Sequence, residues 1–363
     1  MDTFEPMSVE EIKQLSFVFI VARGRSGTTL MQTILDANEG VILPIESRLI
    51  VHLKQKYFGV TSWTPALLDE FILDLYKDKK FSRYWSVDPL KLRSSIDALP
   101  IKELTFPVLC KLVYMSYPSP FPKGRITLLG DKNPIFSIFI SELTEVFPEA
   151  KFIHLVRDYR DNISSNRKVF KRQSIAQLTQ GWKAYNIFIE QIKKRDPKRF
   201  YTLKYEDLAS NPAKFVPEIC DFLGIQFNPA MFEFHTTMQQ VKEEKYVVEI
   251  TTVHPNIIKP INTEQVDKWK KVLSPADIEL ADFIAGDYAK QYGYIRETHT
   301  AKLSYRIRSV LALARIHLDF FVIRSYYKMP FWIRDSVGKF NAKLYAKFKI
   351  SNYYNHADFR FKE

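Results

Sequence analysis

Cysteine is nearly absent: Cys110 and Cys220 are the only two in 363 residues, far apart and outside any metal-ligand spacing. Neither a disulfide framework nor a thiolate metal site is therefore expected, and both read as buried, reduced thiols of a cytoplasmic protein. No apolar run approaches the ~18 residues that a membrane-crossing helix needs. The opening MDTFEPMSVEEIK is acidic where a secretory leader would be basic. On that reading the sequon at Asn162-Ile-Ser164 is a coincidence of sequence. The nucleotide-binding pattern GxxxxGK[ST] is missing, and no carboxylate cluster asks for a metal ion. A basic footprint over the body of the chain is missing too. The net charge is +12, but residues 301–363 hold 13 Lys and Arg against 4 Asp and Glu, which accounts for +9 of it. The first 300 residues are nearly neutral, which argues against a nucleic-acid partner.

What is present begins at Phe17. Phe17 to Ala22 is a short apolar run rich in β-branched and aromatic residues, the pattern of a buried parallel strand. Gly24 and Gly27 then permit a sharp turn, and Leu30, Met31, Ile34 and Leu35 mark one face of a following helix. A strand, a glycine turn and a helix start point free N–H groups and a positive dipole end at one spot. Arg25 adds a full charge there, and Ser26, Thr28 and Thr29 add hydroxyl donors.

Further strands are expected at 41–44, 125–130, 151–156 and 199–205, each followed by a helix. Residues 50–126 read as mostly helical, broken at Pro65, Pro89, Pro100 and Pro118 to Pro122. Alternating strands and helices argue an α/β fold, a P-loop-like central parallel sheet flanked by helices. Ligands of such sheets sit beyond the carboxyl ends of the strands. RGRSGTT, GDKNP, RDYRD and KYEDL all fall at those ends. An α/β domain over 1–300 and a basic, aromatic-rich helical extension over 301–363 are the expected division.

Four side chains carry alternative readings at this point. Arg157 and Ser165 stand eight residues apart, which can bring a guanidinium and a hydroxyl onto one phosphate. Arg157 could equally pair with Asp158 or Asp161, and Ser164 neighbours Ser165. Glu46, in PIESR, is either a general base or half of a surface pair with Arg48. Lys132 in GDKNP is either a site lysine or a turn lysine in solvent.

The string RGRSGTTLMQTILDAN resembles the 5′-phosphosulfate loop of the sulfotransferases, in the branch that includes tyrosylprotein sulfotransferases and many bacterial enzymes. The resemblance covers roughly residues 15–295. It implies PAPS (3′-phosphoadenosine 5′-phosphosulfate) as cosubstrate, no metal, and Arg25, Ser26, Gly27, Thr28 and Thr29 around its 5′ end. It further implies Arg157 and Ser165 on the 3′-phosphate, Tyr205 of KYEDL beside the nucleotide, and Lys259 of NIIKPIN in a late loop closing over it. DKW, with Trp269, matches the helix that follows this loop. Glu46 matches the branch's general base, Arg48 the arginine that orients it, and Lys132 the lysine that neutralises the leaving oxygen. His52 and His154 are reserve bases, the latter better suited to a strand core; Trp63 is a core residue or a stacking surface for an aromatic acceptor.

These parts support in-line sulfuryl transfer to a hydroxyl of a small-molecule or lipid-like acceptor such as a sterol, glycolipid or saccharide. Two alternatives stand beside it: a P-loop-type phosphotransferase, and a non-catalytic membrane-binding scaffold. The second rests on the tail alone. There Leu303, Ile307, Leu311, Ala314, Leu318 and Phe321 keep helical spacing among Arg306, Arg308, Arg315 and Arg324, and Lys339, Lys343 and Lys347 recur against Phe340, Leu344 and Phe348. Such basic amphipathic helices suit peripheral contact with an anionic inner membrane surface, or packing on the domain, or an oligomer contact.

Overall fold

The computed structural model describes residues 7–169, 172–244, 247–248, 251, 254–334 and 336. Five parallel strands form one sheet: β1 (Ser16–Val21), β2 (Val41–Ile42), β3 (Leu128–Lys132), β4 (Lys151–Val156) and β5 (Phe200–Lys204). Their order is β2-β3-β1-β4-β5, so β1 is central. Phe17 to Ala22 are all buried, as a strand covered on both faces requires. One face of β1 packs Val18 and Ile20 against Met31, Ile34 and Leu35 of the helix Thr28–Asp36. On the other face Phe19 meets the rings of Phe136, Phe147 and Phe152, with centroids 5.8, 6.2 and 5.6 Å away.

Register decides which side chains reach the carboxyl edge. Ile20 lies beside Lys132, Val21 beside His154, and Val156 beside Lys204. Lys132 is thus the last residue of a strand rather than part of a loop, and it is buried. The expected strand at 41–44 shrinks to two residues. The helix expected after the strand at 199–205 divides at Asn211, where Pro212 opens a second helix that Gly224 closes in the left-handed conformation at φ 78°. The helix after β4 is Tyr159–Val169.

The described chain divides into two units. One consists of residues 15–45 and 119–320 and contains the whole sheet; the other consists of 7–14, 46–118 and 321 onward. Within the second, helices Leu49–Tyr57, Pro65–Tyr76, Lys79–Tyr84, Pro89–Asp97 and Phe106–Met115 bear out the helical reading of that stretch. Pro65 and Pro89 open helices instead of breaking them, behind Thr64 and Asp88 caps. Trp63 is core, stacked on Tyr57 at 5.8 Å and edge-on to Phe71. Cys110 and Cys220 are both buried free thiols, one in each unit, and burial pushes Cys220 up to about 11.

The tail contains one long helix, Leu303–Lys328. Its buried positions are Tyr305, Ala312, Ile316, Asp319, Ile323 and Tyr327. The apolar stripe read from the sequence faces outward: Leu303, Ile307, Leu311, Leu318 and Phe321 are each at least half exposed. Lys339, Lys343, Lys347, Phe340, Leu344 and Phe348 lie outside the described residues. Among the described residues no helix is long and apolar enough to cross a membrane.

Candidate functional site

The turn after β1 is built by its neighbours. Arg25 takes φ 73° and Gly27 φ 87°, so two left-handed residues fold the backbone back over the helix start. Asn162 Nδ2 donates to the Gly24 carbonyl (2.9 Å) and the Ser26 hydroxyl (3.1 Å), and Asn166 Nδ2 donates to the same carbonyl (3.1 Å). Ser26 in turn donates to the Arg23 carbonyl at 2.7 Å and is buried. Its hydroxyl therefore shapes the loop. Glycine at 27 is obligatory on two counts. Its φ disfavours a side chain, and a Cβ there would stand 2.4 Å from Cδ2 of Tyr205.

Tyr205, the first residue after β5, lies between the loop and Arg157, whose guanidinium sits 4.7 Å over its ring. Burial raises the Tyr205 hydroxyl pKa, with the Arg157 charge opposing that. Arg157 follows β4. Its Nη1 donates to the Arg25 carbonyl at 3.2 Å, its Nη2 to the Gln265 carbonyl, and Asp161 stands 3.9 Å away. Its Nε is buried with no hydrogen-bond partner. Ser165, two turns along the helix, accepts from Arg25 Nε at 3.1 Å. The eight-residue spacing thus delivers Arg157 and Ser165 to one place, and Arg25 joins them. Ser164 instead donates to the Asp161 carbonyl. Asp161 itself accepts the N–H groups of Asp267 and Trp269, each at 2.8 Å, pinning the late loop to the arginine's own helix. Burial raises its carboxyl pKa against the pull of Arg157.

On the far side of the loop, Lys132 Nζ donates to Thr29 Oγ1 at 3.3 Å. The same hydroxyl lies 3.2 Å from His254 Nε2, and Arg25 Nη1 lies 3.2 and 3.3 Å from the two ring nitrogens. His254 escaped sequence reasoning because it sits in an aperiodic segment, and no local pattern marks it. Thr28 opens the helix and is buried. Lys259 is about half exposed and paired with Glu264 at 3.6 Å. Lys268 Nζ, by contrast, donates to the side chain of Gln265, the residue whose carbonyl holds Arg157.

The remaining positions differ in setting. Glu46 and Arg48 belong to the second unit. Glu46 pairs with Lys80 at 3.1 Å, and Arg48 is buried with Nη1 donating to Tyr327 at 2.9 Å. His154 is fully buried between Asn186 (2.9 Å) and Glu190 (3.4 Å), a strand-core residue. His52 is held at about 4, below its usual 6.5, first by burial and then by the Arg334 charge.

A phosphate-sized anion is the ligand this edge suits: two arginines and a lysine gather around a left-handed loop and a helix start. The sequence profile of the Sulfotransferase family matches residues 18–229, more than half of the chain. The protein belongs to the sulfotransferase family. It is 26% identical over 279 residues to the protein-tyrosine sulfotransferase of Drosophila melanogaster, covering 74% of this chain and 50% of that protein. It is 24% identical over 246 residues to the omega-hydroxy-beta-dihydromenaquinone-9 sulfotransferase of Mycobacterium bovis, covering 57% and 62%. The chain therefore spans less than two thirds of either relative. Among solved structures, the sulfotransferase domain of the Synechococcus PCC 7002 olefin synthase aligns with a TM-score of 0.53 at 21% identity, over 77% of this chain and 94% of that domain. That likeness shows the fold.

Proposed function

We propose that this sulfotransferase-family protein moves the sulfuryl group of PAPS to a hydroxyl of an acceptor. The observation that carries the reading is the junction of Arg25, Ser165 and Arg157, which joins the glycine loop to the arginine–serine pair at one strand edge. The buried Arg157 Nε with no hydrogen-bond partner fits a guanidinium that binds an anion. Loop N–H groups, Arg25, Thr28 and Thr29 would hold the 5′-phosphosulfate. Arg157 and Ser165 would hold the 3′-phosphate, with Tyr205 beside the nucleotide. Lys259 belongs to the same late segment, where Lys268 stands nearer the Arg157 anchor.

In the reaction the acceptor oxygen attacks sulfur in line, and the bond between sulfur and the 5′-phosphate oxygen breaks. Adenosine 3′,5′-bisphosphate leaves. The acceptor proton passes to Glu46, oriented by Arg48, while Lys132 and Arg25 offset charge growing on the leaving oxygen. The relatives' names describe acceptors of two kinds, a protein tyrosine and an ω-hydroxylated menaquinone, and both present a hydroxyl. A lipid-like hydroxyl acceptor is our reading here, because the helix Leu303–Lys328 presents exposed Leu303, Ile307, Leu311 and Phe321 among Arg306, Arg308 and Arg315. Such a surface suits peripheral binding to an anionic bilayer.

Transfer of labelled sulfate from PAPS across a panel of lipid, sterol, saccharide and tyrosine acceptors tests the assignment. Glu46→Gln is expected to abolish turnover and leave bisphosphate binding intact; retained turnover would remove Glu46 from the chemistry. Flotation with phosphatidylglycerol vesicles, against phosphatidylcholine alone, tests the membrane contact, and equal absence from both would overturn it.

A further inference from the structure

Asp161 stands four residues after Arg157 and is buried. A buried carboxylate beside a guanidinium ordinarily takes it directly, through both oxygens. The neighbouring pair does so: Asp158 receives Arg160 Nε at 3.0 Å and Nη2 at 2.7 Å. Asp161 does not. Its Oδ2 lies 3.9 Å from Arg157 Nη2, beyond hydrogen-bond distance, and both of its oxygens serve the late loop instead. Oδ2 accepts the Asp267 N–H and Oδ1 the Trp269 N–H, each at 2.8 Å.

The loop answers from its own side. The Gln265 carbonyl accepts from Arg157 Nη2, so three backbone groups within five residues close on the segment that carries the arginine. Asp267 presents its N–H from a left-handed backbone at φ 59°, although its side chain lies in solvent, 2.8 Å from Lys270. A left-handed residue other than glycine persists where its surroundings impose it, and the buried Asp161 carboxylate is the group at this amide. Just beyond, Arg160 lies 4.1 Å over the buried Trp269 ring. Arg157 is meanwhile oriented by the Arg25 and Gln265 carbonyls, two neutral acceptors that leave its charge uncancelled.

We propose that Asp161 is a positioning residue for 3′-phosphate recognition: with the late loop docked on its carboxylate, Arg157 is oriented through Gln265 and keeps its charge for the ligand. The inference rests on the sulfotransferase reading, in which Arg157 meets the 3′-phosphate. Undocking the loop takes two donors from a buried carboxylate, and Arg157 is the cation beside it that can replace them. The arginine is then claimed by Asp161 rather than by the nucleotide. Loop docking and 3′-phosphate binding therefore favour each other, by the reciprocity that links any two coupled equilibria. Asp161 acts through Arg157 and the loop, so the property it controls is discrimination between 3′-phosphorylated and unphosphorylated nucleotides.

Calorimetric titration of the full chain with adenosine 3′,5′-bisphosphate and with adenosine 5′-phosphate, on wild type and Asp161→Asn, tests this. The two ligands differ in the 3′-phosphate alone. The amide keeps the size of the side chain, loses its charge and turns an NH2 group towards one loop N–H. Bisphosphate affinity is expected to fall roughly tenfold or more, while that for adenosine 5′-phosphate changes by less than about twofold. A loss as large for adenosine 5′-phosphate would mark Asp161 as merely structural, and unchanged affinity for both ligands would remove it from the site; either result overturns the proposal. Hydrogen exchange on the wild type decides the matter without the variant. The Asp267 and Trp269 amides should gain about tenfold more protection from saturating bisphosphate than from saturating adenosine 5′-phosphate. Equal protection by the two overturns the proposal alone. A wild type with no preference for the 3′-phosphorylated nucleotide overturns the sulfotransferase reading and this inference with it.

Discussion

Arg25 Nε donates to Ser165 Oγ at 3.1 Å, across 140 positions of sequence. The bond ties the glycine loop after β1 to the helix after β4, and the same arginine's carbonyl receives Arg157. One residue thus supplies both a side chain and a main-chain group to the joint between the two halves of the anion site.

Arg25→Lys keeps the charge and loses the Nε bond. Charge-assisted hydrogen bonds contribute about 1.5–3 kcal/mol. Bisphosphate affinity is therefore expected to fall roughly ten- to a hundredfold. Ser165→Ala should cost a similar amount, and the double variant less than the sum, because the two groups act together. Strict additivity in the binding cycle would show that the bond does not contribute to the site.

At Gly27 a methyl group would meet Tyr205 at 2.4 Å on a backbone held at φ 87°, whereas at Gly24 the nearest atoms are 3.8 Å away. Gly27→Ala should therefore lower the melting temperature sharply and Gly24→Ala only slightly. Adding Tyr205→Leu to Gly27→Ala should recover part of the loss, since the overlap is relieved while a backbone cost of about 1–2 kcal/mol remains. Equal behaviour of the two alanine variants would contradict the packing described.

His52 carries a pH dependence of folding. Its folded-state pKa of about 4 lies below the ordinary 6.5. Between those values the unfolded chain binds the proton that the folded chain refuses, so stability falls as pH drops from 6.5 to 4 and is flat above 6.5. The full window amounts to about 3 kcal/mol. His52→Leu should flatten the slope of melting temperature against pH within that range. An unchanged slope would assign the dependence to other groups.

Much of the sheet was legible because parallel strands buried on both faces leave continuous apolar runs. Lys151–Val156 was bounded correctly for that reason, and Arg157 and Ser165 follow from it by helix geometry. Legibility stopped where the partner is distant or local periodicity is lacking. His254 reaches Arg25 across 229 positions and Arg48 reaches Tyr327 across 279, and neither leaves a local signal. Ser26 turned inward because Asn162 and the Arg23 carbonyl claim its hydroxyl. In the tail, helical spacing identified the helix but not its buried side, since apolar residues stand on both faces and Tyr305, Ala312 and Ile316 are the ones covered.

Calorimetric titration with adenosine 3′,5′-bisphosphate, on wild type and Arg157→Ala with ATP–Mg²⁺ as comparison, tests the central claim most directly. Tight binding of the bisphosphate, at least tenfold weaker in the variant and not reproduced by ATP–Mg²⁺, is the predicted result. Binding of ATP–Mg²⁺ in preference to the bisphosphate, or bisphosphate affinity indifferent to Arg157, would contradict it.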